Sequence, residues 1–388
     1  MAGTPEPFEV DIPDVDLDDL RRRLSATRWP DRETVDDWSQ GVPLAYLQSV
    51  CDHWRDAYDW RICEARLNAL PQFRTMIDGI AIHFLHVRSP EADATPLVLT
   101  HGWPGSVVEF LDVIDALVDP VRHGGTPSDA FHLVVPSLPG FGLSGRPSTV
   151  GWNRERVADA WVELMATLGY DRFIAQGGDW GASVSNQLAI RHPEHLLGVH
   201  VNLVSVGPAT TDLNSVSSED AAAVADWQRV DAHHSRWEVG YMHQQRTRPQ
   251  TLGYGLTDSP AGQCAWILEK FRSWSDCGDD PVEGFGIDRL LDNITLYWLT
   301  ATATSSARFY WECQPAPFDF EVGVPAGATI YPKEIRRPRR QWAERVYRDL
   351  RYWNEVGRGG HFAAFEVPVT FVDELRRFRR TLVDGGPG

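Results

Sequence analysis

At 388 residues the chain is long for one domain and short for three, so a main domain with one or two additions is expected. Hydrophobic residues make up 43% and charged residues 23%, an ordinary globular balance, while a formal net charge of −17 argues against nucleic acid, whose phosphates need a basic surface. Five scattered cysteines without CxxC spacing argue against a disulfide framework or zinc site, and a polar, acidic start with no apolar run of membrane length argues against a signal peptide or span.

Along the chain, residues 14–90 read as an extension. Asp16 can cap a first helix with Leu17, Leu20 and Leu24 on one face, stopped by TRWPD (27–31). Pro43 starts a second helix to about Tyr58, and FRTMIDGIAIHFLHVR (73–88) predicts a hairpin turning at Asp78-Gly79. From residue 96 short apolar strands alternate with amphipathic helices. The predicted strands are PLVLT (96–100), HLVVP (132–136), RFIAQ (172–176) and LLGVHVNL (196–203), with helices at 153–169 and about 180–191. Between about 205 and 310 the pattern is helical and aromatic-rich, in keeping with 16 Trp in the whole chain. Alternation resumes with ATIYP (328–332), a helix near 339–348, RYWNEV (351–356) and a last helix from Pro368 to about Leu382. Such alternation implies a mostly parallel sheet covered on both faces, and the inserted helices are most simply a lid over its carboxyl end.

Four motifs carry chemistry. QGGDWG (176–181) joins a strand to a helix through a glycine-flanked turn, the form of a nucleophile elbow, with Asp179 exposed at its tip. Its bland reading is an Asp that caps the helix. HGWPGS (101–106) follows the strand PLVLT, where an oxyanion hole draws one donor. The backbone N–H groups of Trp103 and Trp180 are the expected pair, and Trp103-Pro104 is a candidate cis bond. RGGHFAAFE (358–366) puts His361 on a glycine-flanked loop near the C-terminus, where the base of such hydrolases falls. YPKEI (331–335) offers Glu334 as the acid that orients it, with Glu344 a weaker candidate. The other histidines lack this context, His83 and His86 being read as surface or satisfied residues, and RRPRR (336–340) as an exposed helix start.

Taken together, HGWPGS, GGDWG, YPKEI and RGGHFAAFE resemble the microsomal-type epoxide hydrolases of the α/β-hydrolase superfamily, and DLDDLRRRLSATRWPD resembles that family's N-terminal meander. The resemblance implies an α/β-hydrolase fold divided into a meander (1–90), two core parts (91–204 and 311–388) and a helical lid (205–310). It makes Asp179 the nucleophile, Glu334 the acid and His361 the base. Lid tyrosines Tyr241, in GYMHQQ, and Tyr310, in ARFYWE, would donate to the epoxide oxygen. It implies no cofactor and no metal. The expected partners are an epoxide, bulky and apolar or aromatic, and water, with a homodimer an open option.

Animal members begin with a membrane-spanning helix; its absence here points to a soluble, cytoplasmic bacterial-style member. The Ala/Arg/Gly/Pro-rich, Lys-poor composition fits a GC-rich actinobacterial genome. Among the soluble relatives that the resemblance points to, some open epoxides in polyketide or enediyne antibiotic pathways and others clear toxic epoxides, and the first role is the one expected here. A haloalkane dehalogenase would share the Asp and His but need halide donors in the lid. A non-catalytic hydrolase-fold receptor would tend to lose a triad member. An esterase would need a serine at the elbow, whereas Ser183 and Ser185 lie inside the following helix.

Overall fold

Short apolar runs bounded by turn residues become the strands of one sheet. The computed structural model describes residues 3–209, 213–215, 217–313 and 320–383, so parts of the predicted 205–310 and 311–388 segments lie outside the described residues. The strands are β1 (Glu6–Pro7), β2 (Gln72–Ile77), β3 (Ile80–Val87), β4 (Thr95–Thr100), β5 (Phe131–Pro136), β6 (Phe173–Gly177), β7 (Leu196–Val201), β8 (Val322–Ile330) and β9 (Tyr347–Glu355). Their order is β1-β2-β3-β5-β4-β6-β7-β8-β9. The first three strands and the β3–β5 pair run antiparallel, and the rest are parallel. Every residue of β5 and β6 is buried, as a strand covered on both faces requires. The predicted hairpin is present: Asp78 (φ 48°) and Gly79 (φ 80°) turn β2 into β3, two positive φ values that suit Asp-Gly.

The N-terminal helices α1 (Asp14–Ser25), α2 (Leu44–Asp56) and α3 (Trp60–Asn68) brace the helical insertion between β7 and β8. Tyr58 donates to Asp292 (2.8 Å), and Arg23 pairs with Asp258 (3.0 Å). Leu17, Leu20 and Leu24 are buried as predicted, but Asp16 sits inside the first turn and caps nothing; the cap position is Pro13. Helix α3, which the sequence reading passed over, starts where the Asp59 carboxylate accepts from the Arg61 N–H. The helix expected near 339–348 is only Arg340–Ala343, because the chain turns early into β9, which begins at Tyr347. Strand β8 likewise begins at Val322, well before ATI. Among the described residues, no helix is long and apolar enough to cross a membrane.

Candidate active site

Strand β6 enters helix α4 (Asp179–Arg191) through one residue in the left-handed region, Asp179 at φ 47°. Few side chains tolerate that conformation, and Asp is one of them. Packing dictates the flanking glycines. A Cβ on Gly177 would lie 2.1 Å from the Gly181 carbonyl carbon, and one on Gly181 would lie 1.8 Å from the Thr100 oxygen. Gly178 has ordinary room, with its nearest neighbour at 3.8 Å. The cap position of the helix belongs to Gly178, so Asp179 does not act as the cap. Its Oδ1 instead accepts from the Trp103 N–H at 2.8 Å.

That amide belongs to the HGWPGS loop, which is held from several sides. Gly102 is indispensable, since a Cβ there would fall 2.3 Å from the Asp179 side chain. The His101 Nδ1–H donates to the Gly102 carbonyl (3.0 Å), and Nε2 accepts from the Leu138 N–H (3.1 Å); burial pushes this imidazole down to about 4, so it is neutral. From helix α5 (Ile287–Leu299), Asn293 Nδ2 donates to the Pro104 carbonyl and Tyr297 Oη to the Gly105 carbonyl, each at 2.8 Å. The Trp103-Pro104 bond is cis. Trp180, in the first turn of α4, carries an amide with no acceptor inside the helix.

The loop after β9 delivers His361. Its backbone N–H donates to the Trp274 carbonyl at 2.8 Å. Its Nδ1–H donates to Glu334 Oε1 at 2.7 Å, while Nε2 lies 3.4 Å from Asp179 Oδ2. Glu334, only 3% exposed, is anchored by a 2.7 Å hydrogen bond from the Ile335 amide. Burial alone would lower the imidazole, but the carboxylates of Glu334 and Asp179 outweigh it and hold His361 well above its ordinary range. Glu344 lies elsewhere, an exposed residue paired with Arg340 at 2.8 Å.

Two phenols converge from the insertion, Tyr241 on helix 240–247 and Tyr310 on helix 303–312. Their rings sit 5.8 Å apart at 83°; Trp103 stacks on Tyr241 (5.0 Å, 8°), and Trp180 meets Tyr310 edge-on (4.8 Å, 84°). Burial pushes both phenols upward, so both keep their protons at neutral pH. The Tyr310 hydroxyl is buried close to the Tyr241 and Trp180 side chains but without good hydrogen-bond geometry to any of the described residues. A cavity of about 450 Å³ is bounded by Asp179, Trp180, Tyr241, Tyr310 and Leu203. The motif residues named from sequence therefore meet in one place. Gly102, His101, Asn293, Tyr297 and Trp274 were not foreseen, and only Gly102 and His101, inside HGWPGS, carried a local signal. His83 is fully buried between Ser137 and Gln72, so it is satisfied but not a surface residue, and His86 meets Tyr170 (2.9 Å).

A glycine-pinned elbow at the end of a central parallel strand, reached by an imidazole from the loop after the last one, defines the α/β-hydrolase class, and residues 95–237 match the family described as alpha/beta hydrolase fold. Residues 5–110 match the epoxide hydrolase N terminus. The chain is 53% identical to a Stigmatella aurantiaca protein provisionally named an epoxide hydrolase, over 97% of this chain and 85% of that one. It is 35% identical to epoxide hydrolase 1 of Sus scrofa, over 96% of this chain and 88% of that one. The crystal structure of juvenile hormone epoxide hydrolase from Bombyx mori superposes with a TM-score of 0.90 at 30% identity, covering 98% and 95% of the two chains. The chain belongs to the microsomal-type epoxide hydrolase family and is an epoxide hydrolase.

Proposed function

We propose that this enzyme opens its epoxide in two steps, through an ester on Asp179, with a bulky apolar or aromatic epoxide as substrate. The observation that carries the reading is a carboxylate with one oxygen on the Trp103 amide and the other beside His361, facing a cavity shared with two protonated phenols. In the first step Asp179 Oδ2 attacks a ring carbon, the carbon–oxygen bond of the strained ring breaks, and Tyr241 and Tyr310 donate to the forming alkoxide. In the second, water attacks the Asp179 carboxyl carbon and gives its proton to His361 Nε2. The Trp103 and Trp180 amides receive the oxyanion, the bond between the acyl carbon and the alkyl-bearing oxygen breaks, and the leaving alkoxide takes a proton from the imidazolium.

The electrostatics set the order of these steps. With Asp179 ionised, His361 is held protonated and is no base. Esterification removes the Asp179 charge and lowers the imidazole, whose Nε2 proton passes on to restore the phenol that protonated the alkoxide, leaving Nε2 free as a base when water must be activated. A serine could not serve here, because an ether at its oxygen offers no acyl carbon for hydrolysis. Phenols suit a developing alkoxide, which favours an epoxide over a haloalkane. The cavity of about 450 Å³ sets Trp180, Leu203, Tyr241, Met242 and Tyr310 beside polar groups such as Arg154, Asn186, Gln187 and Arg246. Its aromatic side has room for a sizeable apolar body, while the rest can meet polar substituents.

The test is one turnover in heavy-oxygen water with enzyme in excess, followed by mass analysis of the Asp179 peptide. The expected result is label in that carboxylate; label found only in the diol would refute the ester. Asp179→Asn should form diol at least roughly 10³-fold more slowly, as loss of a nucleophile does elsewhere, with unchanged circular dichroism.

A further inference from the structure

The large cavity touches Asp179 but not His361. A second chamber touches both, and it is small, about 20 Å³. One water needs about 10–15 Å³ and two or more polar partners. So the side from which His361 can be served is sized for water, not for substrate.

Glu109 lines this chamber. It follows the HGWPGS loop, and its carboxyl lies directly over Gly105: a Cβ there would come 2.8 Å from Oε1 and 3.0 Å from Oε2. Gly105 is thus the residue that lets the carboxyl tuck in beside the triad. Among the described residues no side chain or amide hydrogen-bonds that carboxyl. Glu109 keeps intermediate exposure as a residue, yet burial dominates its carboxyl and pushes it up to about 8, with His361 pulling it down and Asp179 pushing it further up. At neutral pH it is an acid with one donor and one free acceptor, close to an ion pair and without a protein partner. A carboxyl held over Gly105 on the wall of the small chamber, without a protein partner, has its oxygens available to a water there.

We propose that the Glu109 carboxyl anchors the water that hydrolyses the Asp179 ester. Its carbonyl oxygen accepts one water O–H, which turns the other toward His361 Nε2 and a lone pair toward the Asp179 carboxyl carbon. Proton, electron pair and leaving alkoxide then move as in the second step above, on whose ester the inference rests. Glu109 exchanges no proton in it.

The experiment follows both half-reactions in the full-length enzyme by rapid quench with excess enzyme over styrene oxide, reading ester on the Asp179 peptide and diol separately. Glu109→Ala should form ester within about twofold of the wild-type rate, while hydrolysis slows about tenfold, the loss of one hydrogen bond. Ester then accumulates, and its formation certifies a folded site. Glu109→Gln, which still offers an acceptor and a donor, should bring hydrolysis back to within about threefold of wild type. Hydrolysis unaffected in Glu109→Ala overturns the proposal, as does a parallel fall of both steps that Gln does not relieve. If wild-type enzyme forms diol without any ester, the two-step reading fails and this inference with it.

Discussion

A phenol whose pKa has been raised is a poor acid toward most bases but a sound donor to an alkoxide, which is a far stronger base than any carboxylate. That is the condition of Tyr241 and Tyr310, both raised mainly by burial, with the Asp179 charge adding to the effect. Each phenol proposed here as a donor adds one hydrogen bond to a developing negative charge, worth about 1.5–3 kcal/mol. Replacing either Tyr241 or Tyr310 by Phe should therefore slow ester formation roughly 10- to 100-fold. Changing both should cost much more, and hydrolysis of ester already formed should be little altered. Rapid-quench rates decide it: ester formation at the wild-type rate in the double variant would remove the phenols from the first step. The rings also pack on Trp103 and Trp180, the residues whose amides flank Asp179, so Phe keeps the stacking and isolates the hydroxyl.

At the level of elements, the elbow depends on how closely β6, the turn and α4 approach β4. Gly181 is the tightest point, because the added methyl would meet backbone, the Thr100 carbonyl at 1.8 Å, and not a side chain that could swing aside. Gly181→Ala should lower the urea midpoint by the equivalent of about 1–3 kcal/mol or more, and reduce ester formation by displacing Asp179. Gly178→Ala, where the methyl would make only ordinary contacts at 3.8 Å and beyond, should do neither; equal effects from the two would refute this account. The same contrast explains what sequence could and could not convey. Strand, glycine turn and helix follow one another within QGGDWG, so the elbow was legible, and so was RGGH, where Gly359 has φ 102° and a Cβ on Gly360 would strike the Trp274 carbonyl at 2.5 Å. Tertiary clamps were not legible. Asn293 and Tyr297 reach HGWPGS from nearly two hundred residues away, and nothing in LLDNITLYWL distinguishes them from core. Glu109 was missed because a Glu in a short 3-10 turn reads as surface, and its environment is built by β4, β6 and the His361 loop together.

For the whole molecule, pH dependence is a balance between buried histidines and partly buried carboxyls that titrate in opposite senses. His83, His101 and His200 are nearly or fully buried, and burial pushes them down to about 3, 4 and 3. Their contacts agree. His200 Nε2–H donates to Thr329 Oγ1, whose own proton goes to Glu374, and Nδ1 has no partner to which a second proton could be given. A histidine with a depressed folded pKa gives full stability above its unfolded value of about 6.5 and loses it as pH falls toward the folded value, since the unfolded chain takes up protons first. Glu109 and Glu366, raised mainly by burial to about 8 and about 7, do the reverse: between those values and about 4.5 the folded chain holds the extra proton, so acidification stabilises it. Both effects fall between pH 7 and 5, where they oppose one another in the wild-type slope, His86 and His234 (lowered to about 4) adding to the first and Asp292 (raised to about 6) to the second. His200→Gln should flatten the loss of stability over that interval by roughly 1–2 kcal/mol, whatever constant penalty it adds at every pH. Glu109→Gln should steepen the loss, because it deletes a group that works in the other direction. Urea midpoints taken at pH 7, 6 and 5 for wild type and the two variants read the slopes directly. Three parallel lines would mean that neither residue changes its protonation on unfolding, and the two opposed sets would lose their physical basis.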